Sequence, residues 1–520
     1  MSRFRNAARS LTSGYLAMGS NVFYTLASVP LALHYLSKAE FGLWALAAQV
    51  AGYLALIEFG LSGAASRILI DHKDRIETGE YGSVLKTTFL VLVIQGAFIV
   101  AGGVALAFWL PGLMHVPDEY VHTCRILVGA QCTMTGIFLV GRIPTGLLQA
   151  HQRYDVINYS QIGQLTVGLV VQWITFHQGM GVYSLLVAGG VQWVFGLVSN
   201  LTSVIKLRLL PPRNAWGRAS WKAFKEIFLF GADLFLLLLG SQLVNASQVV
   251  IISRTLGLTA AAVWTIATKI YPLAFQLVSR VFDFSSSAFG EMVVRGEHEG
   301  LQRRFRDVFL LTASGAVFVG AAVAVCNGTF IEVWTRGKIV WEPYNDLLLG
   351  LLLMVTCITR CHVGLRGPLK EIGTMRYIYF AEGVAFVVAG FLAAPRWGIT
   401  GVLVAAIVAD VLLTGIYGFW RTAKHFGVSV HEVLFDWLAN AWAYLLLMAI
   451  ISGATWWSTR GLSALPRLII QSVSLGLAGV VLLWRVGLTR ELRDELRARV
   501  AVMTPAWARR AGAAFGIEKV

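Results

Sequence analysis

Apolar residues in this chain fall in blocks of roughly 20, and a block of that length crosses about 30 Å of hydrocarbon as a helix. Fourteen blocks are read, at 11–36, 41–65, 84–110, 121–150, 156–177, 182–205, 227–256, 258–282, 308–333, 347–369, 377–394, 399–420, 437–458 and 468–488. Inside lipid, every backbone donor and acceptor must be paired within a helix or a closed barrel. Barrel strands would alternate in polarity over about ten residues, and these blocks do not. The expected fold is therefore all-α, a polytopic membrane protein of about fourteen transmembrane helices. Charged residues make up only 14% of the chain, against about 25% in an ordinary soluble domain. The 52 glycines against 12 prolines suit helices packed closely through small residues.

The net charge of +15 sits in short gaps between the blocks, not on one patch or recognition helix, so nucleic acid is not the expected partner. One set of gaps holds Arg67, Lys73 and Arg75, then Arg153, then Lys206, Arg208, Arg213, Arg218, Lys222 and Lys225. It continues with Arg295, Arg303, Arg304 and Arg306, then Lys370 and Arg376, then Arg421 and Lys424. The alternate gaps carry only Lys38, Arg336 with Lys338, Arg396 and Arg460. The positive-inside bias then puts both termini in the cytoplasm of a bacterial-type inner membrane, with anionic inner-leaflet lipids as partners. The first block follows Arg3, Arg5 and Arg9 but is too long for a signal peptide and lacks a small-residue cleavage site, so it reads as a retained helix. Trp109, Trp173, Trp397, Trp420, Trp437, Trp456, Trp457 and Trp484 stand at block ends, as interfacial anchors do. Cys124, Cys132, Cys326, Cys357 and Cys361 lie in or beside apolar blocks without metal-ligand spacing and read as core residues. In the tail, Leu492, Leu496 and Val500 at helical spacing among Arg493, Arg497 and Arg499 predict an amphipathic helix on the inner leaflet.

The chain echoes itself. Trp44 and Trp264 stand 220 positions apart, as do Leu36 and Leu256, Glu77 and Glu297, and Phe89 and Phe309. Arg153-Tyr154 returns as Arg376-Tyr377, 223 positions on. Two homologous six-helix bundles are expected, at 1–210 and 211–425, followed by two extra helices over 426–489 and a basic tail over 490–520. An even number of helices per unit inserts both halves the same way round, a parallel repeat with a cavity between them.

The stretch Tyr35-Leu36-Ser37-Lys38-Ala39-Glu40-Phe41-Gly42-Leu43-Trp44, followed by Glu58-Phe59-Gly60-Leu61 with Ala64, Ala65 and Arg67, resembles the Wzx-type O-antigen and polysaccharide flippases. These belong to the multidrug/oligosaccharidyl-lipid/polysaccharide exporter superfamily. The resemblance is specific over 35–67 and otherwise one of topology. It implies two bundles that alternate between inward and outward openings and move polyprenyl-diphosphate-linked oligosaccharide from the cytoplasmic to the periplasmic leaflet. Polysaccharide assembly proteins would be partners. Related lipid II flippases carry arginines within the first helix, and drug-exporting relatives often carry an acid there. Between Arg9 and Lys38 this chain has neither. Any diphosphate contact must lie elsewhere, and a cation-coupled drug exporter becomes the second reading.

Ionisable residues inside a span cost several kcal/mol unless paired or hydrated, so they mark function or structural pairing. Lys269 is near the middle of its block, Arg142 in the inner third of the fourth, Arg280 near the inner end of the eighth and Arg360 in the inner half of the tenth. These are the candidate cations for a diphosphate, Arg offering paired donors; Arg280 and Arg360 have snorkelling to the headgroups as the alternative. The acids Glu58, Asp233, Glu382 and Asp410 either carry a coupling H+ or Na+ or pair with the buried arginines. Gln95, Asn158, Gln161, Gln164, Gln172, Gln192, Asn200, Gln242, Asn245 and Gln248 either line a wet, sugar-binding cavity or join helices. No glycine-rich nucleotide loop, metal cluster or nucleophile constellation is found, so no cofactor, metal or catalytic residue is expected. A membrane-embedded glycan-processing enzyme would need a sizeable outer loop, and the gaps at 111–120 and 336–346 offer none.

Overall fold

A computed structural model of the chain describes residues 2–58, 60–62, 65, 68–69, 76–151, 153–366, 369 and 373–503. Arg67, Lys73, Arg75, Lys370 and the tail beyond 503 lie outside them, as do the side chains of Asp233, Leu496 and Val500. Among the described residues every regular element is a helix. In chain order these are α1 (Ser2–Tyr35), α2 (Lys38–Leu54), α3 (Glu80–Leu113), α4 (Asp118–Phe138), α5 (Arg142–Ala150), α6 (Tyr154–His177) and α7 (Tyr183–Lys206). They continue as α8 (Trp221–Leu256), α9 (Leu258–Ala267), α10 (Tyr271–Arg295), α11 (His298–Trp334), α12 (Pro343–Leu365) and α13 (Met375–Ala409). The last four are α14 (Ile416–Phe426), α15 (Ala439–Ser458), α16 (Ala464–Leu482) and α17 (Arg490–Met503).

Eleven helices among the described residues are long and apolar enough to cross a membrane, against fourteen expected blocks. Blocks 377–394 and 399–420 run together as one helical stretch, Met375–Phe426, broken at Gly398 by a positive φ of 60°. The helices α6 and α8 cover two further blocks but are not among the eleven. In α6 the amides Asn158, Gln161, Gln164 and Gln172 lower the apolar character, whereas α8 keeps a long apolar run around Asp233 in which the side chains at 230–234 and 237–238 lie outside those described. The outward faces suit lipid, since Leu446, Ile450 and Leu477 are 67–68% exposed on helices that a soluble protein would have to cover.

The motif 35–44 has a local structural cause. Ser37 caps α2, its Oγ accepting from the Glu40 N–H at 3.2 Å while the Glu40 carboxylate accepts from the Ser37 N–H at 2.8 Å, a reciprocal capping box. A Cβ on Gly42 would run into the Leu258 carbonyl, so glycine is what lets α2 and α9 cross closely.

The chain forms two compact units. One comprises Met1–Lys269, Ile331–Trp341 and Gly373–Ala409; the other comprises Ile270–Phe330, Glu342–Ile372 and Asp410–Val520. These units cut across the expected boundaries at 210 and 425, because α8 packs along α13 and α9 against α2. In the first unit, Leu61, Tyr81, Leu85, Leu147, Leu148 and Ile227 centre one apolar cluster. In the second, Phe282, Phe289, Phe305, Phe309 and Leu365 centre another. Trp437 belongs to that second cluster and is 5% exposed, so it is a core residue and not the interfacial anchor expected from its place at a block end. Trp109, Trp397 and Trp457 are exposed as anchors should be. Cys124, Cys132, Cys357 and Cys361 are buried free thiols, and Cys326 is half-buried. In α17, Leu492 is buried against the protein and Glu495 pairs with Arg304 of α11 at 2.8 Å, so this helix is docked by a charge as well as by its apolar face.

Internal repetition is visible in the packing within each unit. Gly96 of α3 and Gly136 of α4 face each other with no room for a Cβ on either, and Gly320 of α11 and Gly350 of α12 do the same.

Candidate functional site

The fourth expected span is not one helix. It breaks at a 3-10 turn, Leu139–Gly141, and resumes as α5 with Arg142 as its first residue. The block 121–150 reads as continuous in the sequence, and neither Pro144 nor Gly146 marks the break. Pro144 instead lies in the first turn of α5, where a missing N–H is tolerated. α2 also ends irregularly, in a 3-10 turn Ala55–Glu58, and Glu58 is 5% exposed. The Arg142 guanidinium donates to the Glu58 carboxylate, which also accepts from the Ser62 N–H at 2.9 Å and from the Ser62 hydroxyl. Two charges assigned to different roles in the sequence are thus one ion pair, with Arg142 keeping 40% of its side chain exposed.

That open side of Arg142 faces a cavity of about 340 Å³ within the first unit. Its polar wall is Thr145, Gln149, Gln164 and Asn200, and its apolar wall is Phe138 and Trp193, whose rings stack at 5.8 Å and 12°. Asn200 donates to the Thr145 hydroxyl at 3.1 Å, and its buried Oδ1 has no partner among the described residues. Gly196 leaves the space that the Gln164 amide occupies. A cation, several amides and an aromatic face in one cavity can receive an anion joined to a hydroxyl-rich ring.

The second unit contains a counterpart. Arg360 of α12 donates to Asp283 of α10 at 2.9 Å, with 41% and 47% of the two side chains exposed. These residues lie 218 and 225 positions beyond Arg142 and Glu58, close to the sequence repeat. His362 and Thr422, hydrogen-bonded at 2.9 Å, likewise lie 217 and 222 positions beyond Thr145 and Asn200. The C-terminal version is drier: His362 is fully buried among Phe305, Phe309 and Phe419.

The remaining predicted residues are spread out. Lys269 lies in the turn between α9 and α10, its N–H bonded to the Ile266 carbonyl at 3.2 Å, with an exposed side chain and no ion pair among the described residues. A cation just past a helix C-terminus is favourably placed against the helix dipole. Arg280 is exposed on α10. Glu382 is buried on α13. Asp410 is 5% exposed at the head of a π-helical turn, Asp410–Gly415, with its carboxyl beside the Thr356 and Thr359 hydroxyls. Of the amides, Gln164 and Asn200 line the cavity. Others join helices: Gln95 to the Ile57 carbonyl, Gln172 to the Ser28 carbonyl and Gln192 to the Tyr24 hydroxyl. Sequence reading missed Asp283, which falls one residue outside its block, and His362, a lone histidine within one. It also missed Trp193, whose significance depends on Phe138 packing beside it.

This fold is that of the multidrug/oligosaccharidyl-lipid/polysaccharide transporters. An inward-closed lipid II flippase MurJ aligns at a TM-score of 0.67, 12% identical, covering 91% of this chain and 97% of that one. An inward-facing multidrug resistance MATE family transporter of the same superfamily aligns at 0.65, 15% identical, covering 78% and 96%. The chain belongs to the polysaccharide biosynthesis protein family, whose model matches residues 34–335. It is 26% identical over 273 residues to the succinoglycan biosynthesis transport protein ExoT of Rhizobium meliloti. That match spans 51% of this chain and half the length of the relative. The protein is thus a multi-pass helical membrane protein of the polysaccharide biosynthesis protein family.

Proposed function

We propose that the protein carries a polyprenyl-diphosphate-linked oligosaccharide from the cytoplasmic to the outer leaflet of a bacterial inner membrane by alternating access. The observation that carries this reading is Arg142 at the wall of an amide-lined, aromatic-flanked cavity, held by a carboxylate that an incoming anion can replace. The diphosphate takes the open donors of Arg142, and Lys269, which does not line that cavity, offers a second cation elsewhere on the path. Sugar hydroxyls take Asn200 Oδ1 and the Gln149 and Gln164 amides. Glu58, released when phosphate takes Arg142, is then the carboxylate available to a coupling H+ or Na+. Asp410 is a second carboxyl suited to H+ or Na+. The basic gaps face the cytoplasm, with both termini on that side.

The test is to replace Arg142 and Lys269 together by Ala in a strain lacking the native protein. Surface glycan should disappear while lipid-linked oligosaccharide accumulates in the cytoplasmic leaflet. Normal export by the double variant would remove the site assignment. Altered drug tolerance without any change in glycan would favour the drug exporter.

A further inference from the structure

We infer that a groove between α3 and the first turns of α8, inside the first unit, holds a single isoprenoid chain of the lipid carrier; this rests on the flippase reading above. The groove measures about 480 Å³ and is walled by Leu90 and Ile94 of α3, by Trp221, Phe224 and Phe228 of α8, and by Leu61. Its polar atoms are almost all engaged. Thr87 Oγ1 donates to the Ser83 carbonyl at 2.7 Å and accepts from the Ser220 N–H at 3.1 Å. Ser220 Oγ caps α8 by accepting from the Lys222 N–H at 3.2 Å. Gln95 spends its amide N–H on Ile57, leaving one acceptor, Oε1. A lining with so little left to hydrogen-bond suits hydrocarbon.

The three α8 rings form a single-file ladder, Trp221 to Phe224 at 4.9 Å and Phe224 to Phe228 at 5.6 Å. An isoprenoid repeats a methyl-bearing double bond at a spacing on the order of one helical turn, about 5 Å. Successive units can therefore rest on successive rings. One file of rings accommodates one chain, whereas a glycerophospholipid brings two. The polar end of the groove is closed by the loop before α8, which Ser83 and Lys86 tie to α3 through the Arg218 and Gly217 carbonyls at 2.6 and 2.9 Å. Lys86, Arg218 and Lys222 are all exposed at that end, a complement to an anionic head. The groove also shares a wall with the Arg142 cavity: Leu61 lines the groove and its neighbour Ser62 lines the cavity. That adjacency favours the carrier over bulk lipid.

The experiment uses the full chain in nanodiscs of phosphatidylcholine and phosphatidylglycerol, with geranylgeranyl diphosphate bearing a terminal diazirine as probe. Label is expected on the peptides holding Leu90, Ile94, Phe224 and Phe228, and Ile94→Trp, which fills the groove, should remove it. Excess long-chain polyprenyl phosphate should suppress labelling about tenfold more than equal excess of phosphatidylglycerol, a difference near 1.4 kcal/mol. Equal suppression by the two lipids would overturn the inference, as would label on α15 and α16 in place of the groove. Arg142→Ala, which removes the proposed head-group donor, should weaken the label without moving it to other peptides. A labelled groove with normal export in the Arg142/Lys269 double variant would sink the head-group site alone, and an unlabelled groove with export lost would sink the groove alone.

Discussion

Arg142 and Glu58 show why a charge inside a membrane is informative but incomplete evidence. The cost of burying each is visible in the sequence, and the partner that offsets it is not, because 84 positions separate them. Replacing Arg142 by Ala leaves Glu58 buried with, among the described residues, only the Ser62 donors. The variant should lose on the order of 2–3 kcal/mol, less than a fully buried pair because Arg142 keeps solvent contact. A melt in detergent checks this. The Glu58→Gln/Arg142→Gln double variant should melt close to the native protein while glycan export stays abolished. Recovery of export would make the pair structural. Arg142→Lys keeps the charge but loses the two-pronged donor set, so partial export is expected. Asp283 and His362 were hidden for different reasons. The first lies just beyond a hydropathy boundary, and the second carries a role that depends on three phenylalanines far away in sequence.

Apolar length and periodicity predict helices well, because lipid leaves the backbone no alternative. They predict breaks poorly. The interruptions at Leu139–Gly141, at Thr268–Ile270 and at Asp410–Gly415 fall within blocks that read as continuous, yet each sets down a charged residue. Hydropathy averages over a window and cannot register a turn of three residues. The close crossings were better signposted, since glycine abundance already pointed to small-residue packing. Gly96→Val should force α3 from α4 and lower folded yield, with an overpacking cost of about 1–3 kcal/mol. Gly112→Val on the same helix has nothing within 4 Å of the added Cβ and should be tolerated. Fluorescence-detected gel filtration of the two variants gives the comparison.

At the scale of the whole molecule, the repeat was legible from four residue pairs at one offset, and the structure adds an ion pair, a polar pair and a glycine contact within each unit. The compact units were not legible, because α8 and α9 take their partners from distant parts of the chain. The charge asymmetry makes a topological prediction. In a background without native cysteines, Gln178→Cys should react with an impermeant maleimide from outside intact cells. His298→Cys should react only after permeabilisation. Reversal of the two would invert the proposed orientation. The Arg304–Glu495 contact bears on how the protein is handled at the bench. A purification handle fused after the last residue spares that contact, whereas one that replaces the chain from Arg490 onward strips Arg304 of its counter-ion, so handle placement alone should change how long the purified protein survives.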